Sequence, residues 1–196
     1  MKKTFFYPLT IGILLFVPLT VLAHTGVGST TGLIAGLCHP FMGLDHMLAM
    51  IAVGLWAAQR GGRAVIGLPL TFVSLMIMGG ILSFCGISVP FVEEGILVSV
   101  LGLGLLIVTA FKVTTVFSVV VVAVCAVFHG HAHGSEIPAA AGAVTYSAGF
   151  ALATALLHIT GIFCGTALDK STFKMALRLG GGMIALGGLF LALISL

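Results

Sequence analysis

The chain has 196 residues, of which 60% are hydrophobic and 7% are charged, where a soluble domain carries roughly a quarter charged residues. That balance excludes a water-soluble enzyme and a disordered tail, and a formal charge of +3, from 8 Lys+Arg against 5 Asp+Glu, is too small for a nucleic-acid-binding face. The apolar runs are long and continuous rather than alternating, which predicts an all-α fold: a polytopic membrane helical bundle of about six transmembrane helices after an N-terminal signal segment.

Residues 1–23 read as that signal segment. Lys2 and Lys3 form a basic start, an apolar stretch runs from Phe5 to Val17, and Ala23 is a small residue at a cleavage point. Cleavage would leave His24 as the mature N-terminus, either a solvated end or an amine–imidazole pair able to take a metal. An uncleaved first helix is the alternative and places His24 on the same, outer side. Residues 24–196 read as a single transmembrane domain, with spans expected within 31–59 and at about 64–85, 95–111, 113–128, 138–167 and 175–196. Pro138 suits the first turn of the fifth, where its missing N–H costs nothing.

The charges orient these spans. Arg60, Arg63, Lys112, Lys170, Lys174 and Arg178 all fall in alternate connections or just inside them, and Glu93, Glu94 and Glu136 fall in the others. Basic residues gather on the cytoplasmic side, so the mature N-terminus and the C-terminus are both expected outside. Gly32 with Gly36, and Gly161 with Gly165, are small-residue pairs suited to close helix approach. Cys38, Cys85, Cys125 and Cys164 are spread through apolar sequence without a CxxC pair, which predicts small packing residues rather than a thiolate cluster.

Two segments break the apolar pattern. The first is His39-Pro40-Phe41-Met42-Gly43-Leu44-Asp45-His46, inside the first span. An ionised Asp at the centre of a spanning helix costs about 3 kcal/mol, so Asp45 needs partners, and imidazoles and a cation are at hand. On an ideal helix His39, Met42, Gly43, His46 and Met50 share a face. Asp45 points away from His46 on that helix and would act as an acceptor that orients a histidine, unless Pro40 and Gly43 unwind the chain and bring it into the same site. The second segment is Phe128-His129-Gly130-His131-Ala132-His133-Gly134-Ser135-Glu136. As a helix it places His129, His133 and Glu136 on one face and His131 on another; Gly130 and Gly134 leave a loop equally open. Imidazole nitrogen with carboxylate oxygen suits nickel, cobalt, zinc or copper better than calcium or magnesium. His158 stands alone in the fifth span, either as a hydrogen-bonded packing residue or as a station near the exit of a cation path.

At these residues the sequence resembles the HupE/UreJ family of small membrane proteins, proposed nickel or cobalt permeases linked to hydrogenase and urease gene clusters. The family pattern His-Pro-x-x-Gly-x-Asp-His stands complete as His39-Pro40, Gly43 and Asp45-His46. A second pattern stands as Phe128-His129-Gly130, Ala132-His133-Gly134 and Glu136. The larger nickel/cobalt transporter family is similar, but has four residues where this chain has the stretch from Pro40 to Leu44. The resemblance implies a multi-pass protein of the inner membrane of a Gram-negative-type bacterium that imports Ni2+ or Co2+ and is not an enzyme. The motif positions imply His39, Asp45, His46, His129, His133 and Glu136 as ligands; His24, His131 and His158, outside the motifs' fixed positions, are further candidates from the reading of the residues alone. The ion is the cargo, no organic cofactor is implied, and delivery to hydrogenase or urease maturation proteins is the implied partnership, with a homo-oligomer left open. No GxxxxGK[ST] loop is present to couple uptake to nucleotide. Alternatives are a membrane metal sensor or metal-chaperone subunit that binds without transporting, and an intramembrane metalloenzyme, although no HExxH occurs.

Overall fold

A computed structural model describes residues 32–137, 142–166 and 170–195. The expected signal segment, His24 and Pro138 lie outside the described residues. Among the described residues every regular element is a helix: α1 (Gly32–Cys38), a 3-10 turn (His39–Phe41), α2 (Leu44–Arg60), α3 (Ala64–Phe84), α4 (Val92–Thr109), α5 (Thr115–Ser135), α6 (Ala143–Thr166) and α7 (Lys170–Ile194).

Five of these helices are long and apolar enough to cross a bilayer, and α1 with α2 make a sixth, broken crossing bent by 82°. The expected first span is therefore not one continuous helix. Pro40 has no N–H for the helical ladder, and Gly43 adopts an extended backbone at φ −106°, ψ 121°, so α1 ends and α2 starts afresh. Irregular backbone at membrane depth is tolerated where it faces protein or a cavity. The fourth span also differs from expectation: α5 runs on through the second histidine segment to Ser135. Its start is capped by Thr114, whose hydroxyl accepts the Phe117 N–H at 3.2 Å. Between α2 and α3 the chain turns through Gly61 and Gly62, both at positive φ, where a side chain would be strained.

The second half of the broken span is the centre of the bundle. Ala49, Met50, Ala52, Val53, Trp56 and Ala57 of α2 are all buried, and α2 packs against α3, α4, α6 and α7. Outside it α3 pairs with α5, α4 with α7, and α1 with α6. Small residues set the closest crossings, as expected for helices that gain nothing from hydrophobicity relative to lipid. A Cβ on Gly36 would strike the Tyr146 carbonyl, and one on Gly161 the Ile51 carbonyl. Large apolar side chains such as Ile66, Phe84, Val116, Phe163 and Met183 face outward and exposed, the surface a bilayer would cover. The protein is thus a multi-pass membrane protein.

Candidate metal centre

The break in the first span is what assembles the site. It turns His39, on the 3-10 turn, and His46, in the first full turn of α2, toward the C-terminal end of α5. The Asp45 carboxylate folds onto its neighbour: its Oδ1 accepts the His46 backbone N–H at 2.7 Å and lies 2.5 Å from His46 Nδ1. Glu136 caps α5, its N–H bonded to the His133 carbonyl at 3.2 Å. Its Oε2 accepts from His133 Nδ1 at 3.1 Å and from His39 Nε2 at 2.9 Å. Hydrogen bonds from His133 and then His39 hold the Glu136 carboxyl below the usual carboxylate range, so it carries its charge wherever a neutral imidazole exists.

The rings meet edge to face in a column. His39 meets His133 with centroids 4.9 Å apart, His133 meets His46 at 4.2 Å, and His46 meets His129 at 5.2 Å. Exposure is greatest at the mouth and least at the far end: the side chain of Glu136 is 50% exposed, His39 26%, His133 6% and His46 12%, and His129 is fully buried. Tyr146 and Phe150 of α6 wall the outer part, Phe150 within 4.0 Å of the His133 ring.

Three of the imidazoles share one protonation pattern. His46 Nδ1 faces Asp45, His133 Nδ1 faces Glu136, and His129 Nδ1 lies 2.9 Å from the Cys125 carbonyl. Each acceptor is an oxygen, which fixes the N–H on Nδ1 and leaves Nε2 with a bare lone pair. All three Nε2 atoms are buried and without a hydrogen-bond partner. A buried polar atom without a partner costs stability, and neutral imidazole nitrogen is a donor that a borderline divalent transition metal takes. At the outer end, His39, His133 and Glu136 offer ligand atoms within 4.8 Å of one another. A cavity of about 290 Å3 opens there, lined by His39, Asp45, His46, Glu93, His133 and Glu136.

His39, Asp45, His46, His129, His133 and Glu136 are thus brought together. His131 is not: its Nε2 lies 2.9 Å from the Ile87 carbonyl and 3.2 Å from the Val89 N–H, tying α5 to the α3–α4 connection. His158 is buried beyond the column, with neither ring nitrogen partnered. The shared helical face expected for His39, Met42, Gly43, His46 and Met50 does not form, because the bend carries Met42 out to an exposed position. Glu93, read from sequence only as an outer charge, lines the cavity. Phe72, which the sequence did not mark, touches the innermost ring at 5.6 Å. Because α5 is helical here, His131→Ala is expected to weaken metal binding far less than His133→Ala. Cobalt titration of the purified variants, followed by visible absorption, checks this; equal losses would contradict the placement.

The family model described as "HupE / UreJ protein" matches residues 12–191. Among curated proteins, Protein HupE of Rhizobium leguminosarum bv. viciae is 45% identical over 168 residues, covering 85% of this chain and 88% of that protein. No solved structure matches.

Proposed function

This chain belongs to the HupE/UreJ family, and from that premise and the imidazole column we propose that it is a permease importing a divalent transition-metal ion, Ni2+ or Co2+. The observation that carries the reading is the column itself. It starts at an exposed carboxylate and ends at a fully buried imidazole, and bare Nε2 atoms recur along its length.

A hydrated ion is captured at His39, His133 and Glu136, with Glu93 adding negative charge at the mouth. It exchanges water for imidazole one ligand at a time and passes to His46 and His129. Each station binds well enough to draw the ion on and loosely enough to release it. Glu136 offsets the ion's charge at the mouth, and Asp45, less exposed, does so farther in, where a buried charge is penalised more. With the basic connections inside, the column opens to the outer face of the inner membrane, and both termini lie on the periplasmic side. An inside-negative potential favours entry by about 2.3 kcal/mol per charge for every ~100 mV. The ion then reaches the cytoplasm, where hydrogenase or urease maturation proteins are its takers.

The test is nickel uptake by cells and by proteoliposomes. Glu136→Gln keeps the shape of the capture group and removes its charge. Uptake at low external nickel is expected to fall roughly tenfold or more at equal protein level, the scale seen when a partner of metal-binding histidines is lost. A wild-type rate would refute the assignment.

A further inference from the structure

The column does not stop at His129. Phe72 of α3 lies 5.6 Å from the His129 ring and 5.1 Å from the His158 ring, the latter edge to face. Phe72 is fully buried, and His158 is 1% exposed. Neither His158 nitrogen has a hydrogen-bond partner. A packing histidine satisfies its N–H as a rule, and a carbon side chain of the same size would fill this place without that cost. The unpartnered ring therefore points to a visiting ligand.

The neighbouring residues agree. Tyr146, Phe150, Thr154 and His158 recur every fourth position on α6 and are all buried, so one face of that helix follows the column inward. Thr71, Thr109, Thr160 and Thr166 turn their hydroxyls back to the carbonyl four residues earlier. Thr154 instead reaches across to the Met76 sulfur at 3.6 Å, one turn along α3 from Phe72. Hydroxyl and thioether thus border the seam between the two imidazoles.

Resting on the permease reading above, we propose that Phe72 is the barrier of the pathway and that His158, beyond it, is the imidazole that receives the divalent transition-metal ion from His129. A phenyl ring has neither an exchangeable hydrogen nor a lone pair, so it interrupts the proton hopping that a continuous chain of imidazoles would allow. Apolar constrictions also exclude water. The metal passes when the ring swings aside, and protons and water do not follow while it is in place.

Two measurements separate this proposal from the permease reading. Diethyl pyrocarbonate acylates accessible imidazole nitrogens, and mass spectrometry reads each histidine separately. In the detergent-purified full chain His158 is expected to resist labelling. Phe72→Ala should raise its labelling about tenfold by admitting water, with the partly exposed His39 labelled as in wild type. Phe72→Leu should keep His158 protected. Should Phe72→Ala lose its cooperative thermal transition, Phe72→Val replaces it and should give an intermediate rise. Unchanged His158 labelling in a folded small-residue variant overturns the barrier. The second measurement is His158→Gln, which should leave cobalt absorption at the outer cluster unchanged and lower nickel uptake into proteoliposomes about tenfold or more. Wild-type uptake overturns the inner station. If the wild-type protein loads cobalt but moves no nickel, the permease reading fails, and the barrier still stands or falls on the labelling.

Discussion

Asp45→Asn is expected to abolish nickel uptake while the protein still inserts and accumulates. Asp45 takes two hydrogen bonds from the next residue, from the His46 backbone N–H and from its ring Nδ1. The first satisfies an N–H in the first turn of α2, and the second fixes which His46 nitrogen faces the column. An Asn oxygen can still accept one of them, so the fold survives and the insertion cost of about 3 kcal/mol for a buried charge disappears. The negative charge that makes His46 a stronger metal ligand disappears with it. Loss of such a carboxylate partner lowers metal affinity or activity roughly 10–100-fold, and Asp45 is the acceptor that His46 Nδ1 has among the described residues. Uptake of radioactive nickel, normalised to immunoblotted protein, is the measurement. Uptake at the wild-type level would mean that the carboxylate serves only the first turn of the helix.

Asp45 was legible because a carboxylate amid apolar sequence has no bland explanation, and Pro40 with Gly43 announced that the helix there would be disturbed. The consequence of the disturbance was not legible. An ideal helix puts Met42 on the same face as His39 and His46, whereas the 82° bend sends Met42 outward and lets the two histidines meet α5. The direction of a bend is set by what the two halves pack against, here α1 on α6 and α2 amid the bundle, and no local sequence rule holds that. Gly130 and Gly134 misled in the opposite sense. As loop formers they left the second segment undecided, yet they sit in a regular helix, and their missing side chains answer to α3. Phe72 gave no signal at all, because one phenylalanine among fourteen is marked only by the rings it touches. The family itself was legible from two short histidine patterns, because polar residues at membrane depth are too costly to recur by chance.

The other large effect is expected at one of those glycines. A Cβ on Gly130 would run into the Met76 carbonyl, with the Met76 carbonyl carbon and Cα at 2.6 and 2.8 Å. Backbone of α3 cannot swing away as a side-chain tip can, so Gly130→Ala must push α3 and α5 apart. Overpacking costs about 1–3 kcal/mol even where neighbours can adjust, and here both neighbours are helical main chain. The separation would also part Phe72 from His129 across the same crossing, so cobalt binding should weaken together with thermal stability. Gly102 of α4 is the control, since a Cβ there meets nothing within 4 Å and alanine favours a helix over glycine by up to about 1 kcal/mol. Gly102→Ala should melt at or slightly above the wild-type temperature, and Gly130→Ala well below it. Equal melting temperatures for the two variants, measured in the same detergent, would mean that the α3–α5 contact is looser than the structure places it.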